Sequence, residues 1–266
     1  MKRAWFFAFL PAYLCLCLLA SCAAGAGGSA GISAEDQEEN TTFCRVVSEE
    51  GGTLLLAEMG STAVFTLPLE EQDMTLDGED FDPSAPGAYG ALPAGSLAGT
   101  TVQVTHQGGF RETWPVQFSE VTALAFSTEE FNDLCVLYRQ VLEDLWATAP
   151  ALNDGVAQLG LDLSQTRLSP AEQGAVGVAL SWQRDCPVLT GTWEALADQG
   201  YIDRERVEWD DGLFLSLAEE NPSGALTFTA QKWRSGTGAY WFTHCTARQN
   251  PSGHWDGYTV GGEAIS

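Results

Sequence analysis

Basic residues are scarce in this chain of 266 amino acids, which holds 12 lysines and arginines against 36 aspartates and glutamates. The formal net charge at pH 7 is −24. Nucleic-acid binding depends on clustered lysines and arginines that neutralise phosphates, so this balance excludes nucleic acid as an expected partner. The same acidity opposes electrostatic adhesion to anionic lipids or polymers and is typical of a surface kept soluble by its charge.

Histidine is also rare, with only His106, His244 and His254 in the sequence, which argues against a histidine-rich metal site. No Cys-x-x-Cys, His-Glu-x-x-His or Ser-x-x-Lys motif occurs. These are the spacings that structural zinc sites, zinc proteases and serine acyl-enzymes use. We therefore assign no catalytic residue, no metal ligand and no cofactor from the sequence.

The first residues have the order of a secretory signal. Lys2 and Arg3 precede an apolar run over residues 4–20, and small residues follow from Ser21 onwards. A permanent membrane span needs about 20 apolar residues with anchoring flanks, whereas an export signal is shorter and ends in small residues. Residues 1–21 are therefore predicted to direct export and then to be removed.

The junction at the end of this signal reads Leu19-Ala20-Ser21-Cys22. It resembles the lipobox of bacterial prolipoproteins, in which a branched residue and two small ones precede a cysteine. The resemblance implies cleavage after Ser21 and acylation of Cys22, with fatty acids such as palmitate holding the chain to the extracytoplasmic face of the cell membrane. An ordinary secretory signal with a free Cys22 and an uncleaved anchor are the alternatives.

Four cysteines remain once the signal is removed and Cys22 is acylated: Cys44, Cys135, Cys186 and Cys245. Four cysteines allow three disulfide pairings in an exported protein, and the sequence does not choose among them. The chain is long and apolar enough to fold without such staples. Cys135 lies in an apolar stripe with helical spacing, which favours a small buried hydrophobe over a reactive thiol.

A flexible tether is predicted over residues 22–41. This stretch consists largely of glycine, alanine and serine, followed by acidic residues. It has almost nothing to bury, so no packed core is expected there. The tether would hold the folded part of the chain away from the membrane.

Five short strands are predicted within residues 42–126. Apolar and β-branched residues alternate there between turn signals such as Gly51-Gly52. The predicted strands cover residues 43–47, 53–57, 63–67, 101–105 and 116–124. Five strands of this length are typical of a small OB-like β-barrel, which closes to leave no exposed sheet edge.

Two stretches near the end of this barrel carry a family resemblance. Residues 99–104 read Gly-Thr-Thr-Val-Gln-Val, and residues 108–116 read Gly-Gly-Phe-Arg-Glu-Thr-Trp-Pro-Val. They are similar to the ending of a small uncharacterised β-barrel domain in lipoproteins of Gram-positive bacteria. The resemblance implies a fold and a location, and no known activity.

Residues 69–96 interrupt the barrel pattern. They carry seven acidic residues and three prolines and show no periodicity. An excursion of this length is typical of a solvated acidic loop, with a calcium loop and a partner-docking loop as alternatives. The order of the acidic residues does not follow that of an EF-hand loop.

The remaining residues, 127–266, are predicted to form an α+β domain of unknown function. Capping signals at Ser127 and Ser169 start two helices, the second running to about Trp182, and a third helix covers residues 192–199. Predicted strands follow over residues 213–218, 226–232, 239–248 and 255–260. Three helices before a four-stranded antiparallel sheet indicate helices packed on one sheet face, an order that resembles the cystatin and NTF2-like cone folds.

Residues 231–241 are the most distinctive segment of this domain. Their glycines indicate a hairpin turn and not a phosphate loop, because no helix follows them. Two interpretations stay open for Lys232, Trp233, Arg234 and Tyr240. They either pack and pair within the fold or form a ligand-binding rim, in which aromatic faces contact a sugar or peptide and the guanidinium supplies donors. Any tryptophans exposed near this turn would favour the rim.

His244 and Cys245 are neighbours and invite comparison with a thiol protease. Neighbouring residues on a strand point to opposite faces of the sheet, so the two side chains cannot act on each other as base and nucleophile.

The sequence as a whole predicts a membrane-anchored extracytoplasmic lipoprotein. Its expected function is non-enzymatic binding of a glycan, a peptide or an envelope protein at the cell surface. A hydrolase acting on envelope glycans or peptides and a subunit of an envelope complex are the alternatives.

Overall fold

Two β-sheets and three α-helices make up the part of the chain that the computed structural model describes, residues 39–70, 72–221 and 225–266. The strands are β1 (Glu39–Glu50), β2 (Thr53–Glu58), β3 (Val64–Pro68), β4 (Asp73–Leu76), β5 (Glu79–Asp80), β6 (Thr101–Arg111), β7 (Val116–Ser127), β8 (Gln158–Gln165), β9 (Val188–Thr190), β10 (Gly212–Glu219), β11 (Leu226–Ser235), β12 (Gly238–Gln249), β13 (Trp255–Thr259) and β14 (Gly262–Ile265). The helices are α1 (Leu134–Ala147), α2 (Pro170–Arg184) and α3 (Trp193–Asp198). The predicted α+β class is confirmed.

The predicted signal, Cys22 and all but the last residues of the predicted tether lie outside the described residues. None of the helices in the described part is long and apolar enough to cross a membrane.

The first sheet closes into a five-stranded barrel, as the sequence predicts. Antiparallel pairs join β3 to β2, β2 to β1, β1 to β6 and β6 to β7. The ring is closed by a parallel pairing of β3 with β7, at Phe65↔Val116 and Thr66↔Gln117. The predicted strands are these five, shifted or extended at their ends.

Strand β2 shows why the barrel also packs outward. Leu54 and Leu56 belong to the cluster inside the barrel, whereas Leu55 and Ala57 belong to the cluster on its outer side. Side chains alternate along a strand, so burial on both faces requires an unbroken apolar run, and residues 54–57 provide one.

The insert over residues 69–96 is more ordered than the prediction of a solvated loop. Strand β4 pairs in parallel with the second half of β7, starting at Asp73↔Ala123. Phe81 and Leu92 are buried in the barrel core. Met74 and Leu76 of β4 also pack against this core, but four residues are too short a stretch for their alternation to identify a strand from the sequence.

The second sheet is mixed, and this corrects the prediction of a four-stranded antiparallel sheet. Its order is β13-β12-β11-β10-β8-β9, with β14 also paired to β12. Strands β10 to β13 are antiparallel and match the four predicted strands, but β8 pairs in parallel with both β10 and β9. Strands β8 and β9 alternate with the helices because parallel neighbours need a crossover, which α2 provides.

Helix α1 begins at Leu134 and not at the predicted capping signal of Ser127. The Thr128 amide and hydroxyl both donate to the Asp77 carboxylate, at 2.8 and 2.7 Å, and hold this stretch outside the helix. The other two helices agree with the prediction. Ser169 forms the capping box of α2, and Thr192 caps α3.

The barrel and the second sheet share one hydrophobic core. Val47, Leu55 and Val64 from the barrel belong to the same cluster as the inner faces of α1, α2 and the second sheet. The described residues from Glu39 onwards accordingly group as one compact unit. Helix α2 therefore lies between the two sheets.

Candidate functional site

Lys232, one of the predicted ligand residues, is fully buried on β11. Its Nζ donates to the carbonyl oxygens of Trp146, Thr148 and Ala149, at 3.0, 2.7 and 3.4 Å. Carbonyls at the end of a helix lack intrahelical donors, and a cation there also complements the helix dipole. Lys232 thus caps the C-terminal end of α1.

The other three predicted ligand residues also have partners within the fold. The Arg234 guanidinium donates to the carbonyls of Leu152 and Asp154 and, at 2.7 Å, to that of Asp210. Trp233 is 7% exposed and stacks edge-to-face on Trp193, with 5.6 Å between ring centroids.

The Tyr240 hydroxyl donates to Glu263, which lies on β14. It stays a prediction that these four residues, Lys232, Trp233, Arg234 and Tyr240, bind a ligand. Lys232 and Trp233 are buried and present no open face to one.

The His244 and Cys245 side chains are separated, as predicted, although His244 lies at a β-bulge with φ of 52° and not in a regular stretch of β12. Cys245 is buried, and His244 is exposed opposite Glu220, with 4.0 Å from Nδ1 to the carboxylate. Burial raises the pKa of Cys245 to about 11, so its thiolate is disfavoured near neutral pH. Cys44, Cys135, Cys186 and Cys245 are all free.

A histidine and a carboxylate do meet elsewhere. Asp133 is buried at the start of α1 and accepts hydrogen bonds from the His254 ring at Nδ1 and from the Trp255 amide. Within the described residues, no serine, threonine or cysteine hydroxyl or thiol is bonded to the His254 ring, and no cluster of side chains could hold a metal ion. This geometry links α1 to β13 and supplies no nucleophile.

The exposed tryptophans lie far from the predicted rim in the sequence. Trp114, in the loop between β6 and β7, is 68% exposed, and Trp182, near the end of α2, is 46% exposed. Both line one groove of about 920 Å³, which we name the tryptophan groove. Its lining residues are Thr62, Trp114, Pro115, Pro170, Gln173, Gly174, Gly177, Val178, Ser181, Trp182, Pro187, Val188, Leu189, Thr190, Gly191, Leu196 and Gln199.

Small residues on α2 determine the shape of this groove. A Cβ at position 174 would lie 3.2 Å from Cγ2 of Val64, and one at position 177 would lie 3.2 Å from Cγ2 of Thr190. Glycine at both positions therefore lets α2 approach β3 on one side and β9 on the other. The tryptophan groove runs where these elements meet, with α3 as its opposite wall.

Among the residues that the structure describes, none of those lining the tryptophan groove is charged, although the chain has a net charge of −24. Two of its polar side chains already have partners, since the Gln173 amide donates to the Leu168 carbonyl and the Ser181 hydroxyl donates to the Cys186 carbonyl. Aromatic faces beside a few polar groups are typical of small-ligand and peptide sites. The groove is suited to an uncharged ligand.

A second groove of about 740 Å³ adjoins the first through Trp182, which lines both. It contains the exposed Arg111 together with Glu50, Glu70 and Glu120. Charges of both signs in this groove distinguish it from the tryptophan groove, and among its described lining residues three carboxylates stand against one guanidinium.

Comparison with protein-family models, curated proteins and solved structures found no match for this chain.

Proposed function

We propose that this chain is a lipid-anchored extracytoplasmic protein whose folded part is a non-enzymatic binding module. The anchor is the acylated Cys22 implied by the lipobox resemblance of residues 19–22, which places the protein on the outer face of the cell membrane. The acidic body cannot supplement that attachment by binding anionic lipid.

The observation that supports a binding role is the pair of exposed tryptophans in one uncharged groove. Large aromatic side chains are usually buried, so two indoles left open on the same concave surface indicate a contact surface for a ligand. The proposed ligand is a glycan, a peptide or part of an envelope protein.

We also propose an OB-like relationship for the barrel. It is supported by the circular strand order and by the parallel pairing of β3 with β7. The cystatin or NTF2-like relationship of the second sheet has weaker support, because β8, β9 and β10 are mutually parallel.

The binding proposal predicts that Trp114→Ala combined with Trp182→Ala weakens binding at least about tenfold, since each removed indole loses contact area with the ligand. The probes are a glycan array, a library of uncharged peptides and whole cell-wall material. Both side chains are exposed, so the melting temperature should change little. Phe43→Ala, which removes an exposed aromatic outside the groove, is the matched control. Unchanged binding by the double variant would refute the proposed site.

The anchor is tested separately with Cys22→Ala. This variant should lose metabolic labelling with palmitate and appear in the medium instead of the membrane fraction. Persistent labelling would contradict acylation at Cys22, whatever the outcome of the binding experiment.

A further inference from the structure

Strand β9 forms one edge of the second sheet. It pairs with β8 in parallel, at Leu159↔Val188, Gly160↔Leu189 and Leu161↔Thr190. Within the described part of the chain, no strand pairs with its other side. The edge lies inside the tryptophan groove, where residues 187–191 form one stretch of the lining.

The hydrogen bonds to β8 determine which groups of β9 point into the groove. The Leu159 amide donates to the Pro187 carbonyl, and the Gly191 amide donates to the Leu161 carbonyl. In a parallel pair every second residue faces the neighbouring strand, so Val188 and Thr190 direct their amides and carbonyls away from β8. These groups offer a short template for another strand.

We infer that the tryptophan groove binds an extended, uncharged peptide segment that adds to the second sheet as a strand next to β9. This inference rests on the proposed binding function and specifies its ligand. Main-chain hydrogen bonds to Val188 and Thr190 supply affinity, and pockets for alternate side chains supply specificity. At about 3.3 Å per residue, the three residues of β9 match three residues of the peptide.

The walls of the groove fit the side chains of such a strand. The Val188 and Thr190 side chains lie on the α2 side, near Gly177. A neighbouring strand places every second side chain on that same side, toward α2 and Trp182, and the others toward α3. Leu196 forms part of the α3 wall.

A peptide fits this groove better than a glycan does. Sugar recognition needs side chains free to bond hydroxyl groups, yet Gln173 and Ser181 are already bonded to backbone carbonyls. The β9 edge adds outward backbone amides and carbonyls at Val188 and Thr190, and their alternating order is that of a strand edge. The described lining residues are all uncharged, which favours an uncharged segment, because a charged side chain would lose its hydration without gaining a partner among them.

The test compares two substitutions at one position, using the purified full chain and a randomised library of end-blocked, uncharged hexapeptides. Thr190→Pro removes the outward amide, and an edge strand tolerates proline at such a position. Thr190→Val keeps the amide and the branched shape but removes the hydroxyl. For the tightest library peptide, we expect binding at least about tenfold weaker with Thr190→Pro and within about threefold of wild type with Thr190→Val.

A second measurement leaves the protein unchanged, in case Thr190→Pro fails to fold. The same peptide is N-methylated at one amide at a time. Because a strand bonds its neighbour through alternate residues, methylation of every second amide should abolish binding and methylation of the others should have a small effect. Equal effects at all amides would overturn strand addition.

The remaining outcomes separate this inference from the proposed function. Binding of a glycan that is lost with Thr190→Val would overturn the peptide inference and leave the binding function intact. If no library peptide binds, while a glycan binds in a way that depends on Trp114 and Trp182, the peptide inference is likewise overturned and the binding function stays intact. If neither a peptide nor a glycan binds in the groove, both the peptide inference and the proposed binding function are overturned.

Discussion

Lys232 provides a residue-scale test of how the fold uses its few cations. Lys232→Met would remove the ammonium that donates to the carbonyls of Trp146, Thr148 and Ala149, while keeping an apolar stem of similar length. The Trp146 carbonyl keeps the side-chain amide of Asn153 as a donor, and the Ala149 carbonyl keeps the Leu152 amide, so the Thr148 carbonyl is the one that loses its donor. An unsatisfied carbonyl at a partly buried helix end is costly, so we expect a loss of about 1–3 kcal/mol in the free energy of unfolding at pH 7. Urea denaturation measures it. Arg248→Met, at an exposed position, is the control and should stay within about 0.5 kcal/mol of wild type.

The same residue makes this difference depend on pH. Burial, with a smaller effect of the nearby Arg184, lowers the pKa of Lys232 from 10.5 to about 8. Between these values the unfolded chain holds a proton that the folded chain has lost, so stability rises with pH. The advantage of wild type over Lys232→Met should therefore grow by about 2 kcal/mol from pH 8 to pH 10. An advantage that shrinks over this range would contradict the lowered pKa.

Residue-scale exposure could be predicted from the sequence only in part. The prediction that His244 and Cys245 face apart is correct in outcome, but simple alternation does not explain it. His244 lies at a β-bulge with φ of 52°, and Phe242 and Cys245, three residues apart, are buried in the same cluster. Exposure of a tryptophan depends instead on what covers the sheet. Trp233 is buried by contacts with α3 that follow from the tertiary fold, and Trp114 and Trp182 are open because nothing in the described part of the chain covers the groove.

At the scale of elements, the packing of α2 against the barrel predicts a coupled pair of substitutions. Gly174→Leu should destabilise the fold by about 1–3 kcal/mol, since its Cβ alone would lie 3.2 Å from Cγ2 of Val64 and this overlap outweighs the gain in helix propensity of about 1 kcal/mol. Val64→Ala opens the space that the leucine needs. The double variant should therefore lose at least about 1 kcal/mol less stability than the two single variants lose together. Additive losses in thermal unfolding would show that Gly174 does not contact Val64 closely.

Element prediction succeeded where the signals were local. Ser169 and Pro170 mark the start of α2, and the capping box at that position depends on four consecutive residues. Strand β8 was missed although Leu159, Leu161 and Leu163 alternate as a strand should, a signal that could have identified it. Strand β9 has three residues and no such pattern. Its place at the sheet edge follows from the crossover through α2, which a sequence pattern does not reveal.

At the scale of the whole molecule, charge is distributed unevenly between the surface and the proposed binding site. Several cations are paired, as in Arg167–Glu219 at 2.7 Å, but the acidic residues far outnumber them. The folded chain therefore brings many carboxylates closer together than the unfolded chain does. The described residues that line the tryptophan groove take no part in this repulsion because they are uncharged.

Salt should consequently separate stability from binding. Raising NaCl from about 20 mM to about 500 mM shortens the screening length from over 20 Å to about 4 Å, which weakens repulsion among the carboxylates. We expect the melting temperature to rise by several degrees, because about 1 kcal/mol corresponds to roughly 2–4 °C for a chain of this size. Peptide affinity for the groove should change less than about twofold over the same range. A melting temperature that falls with salt would mean that attractive ion pairs outweigh the net repulsion, and a steep loss of affinity would mean that the ligand contacts charged groups outside the groove.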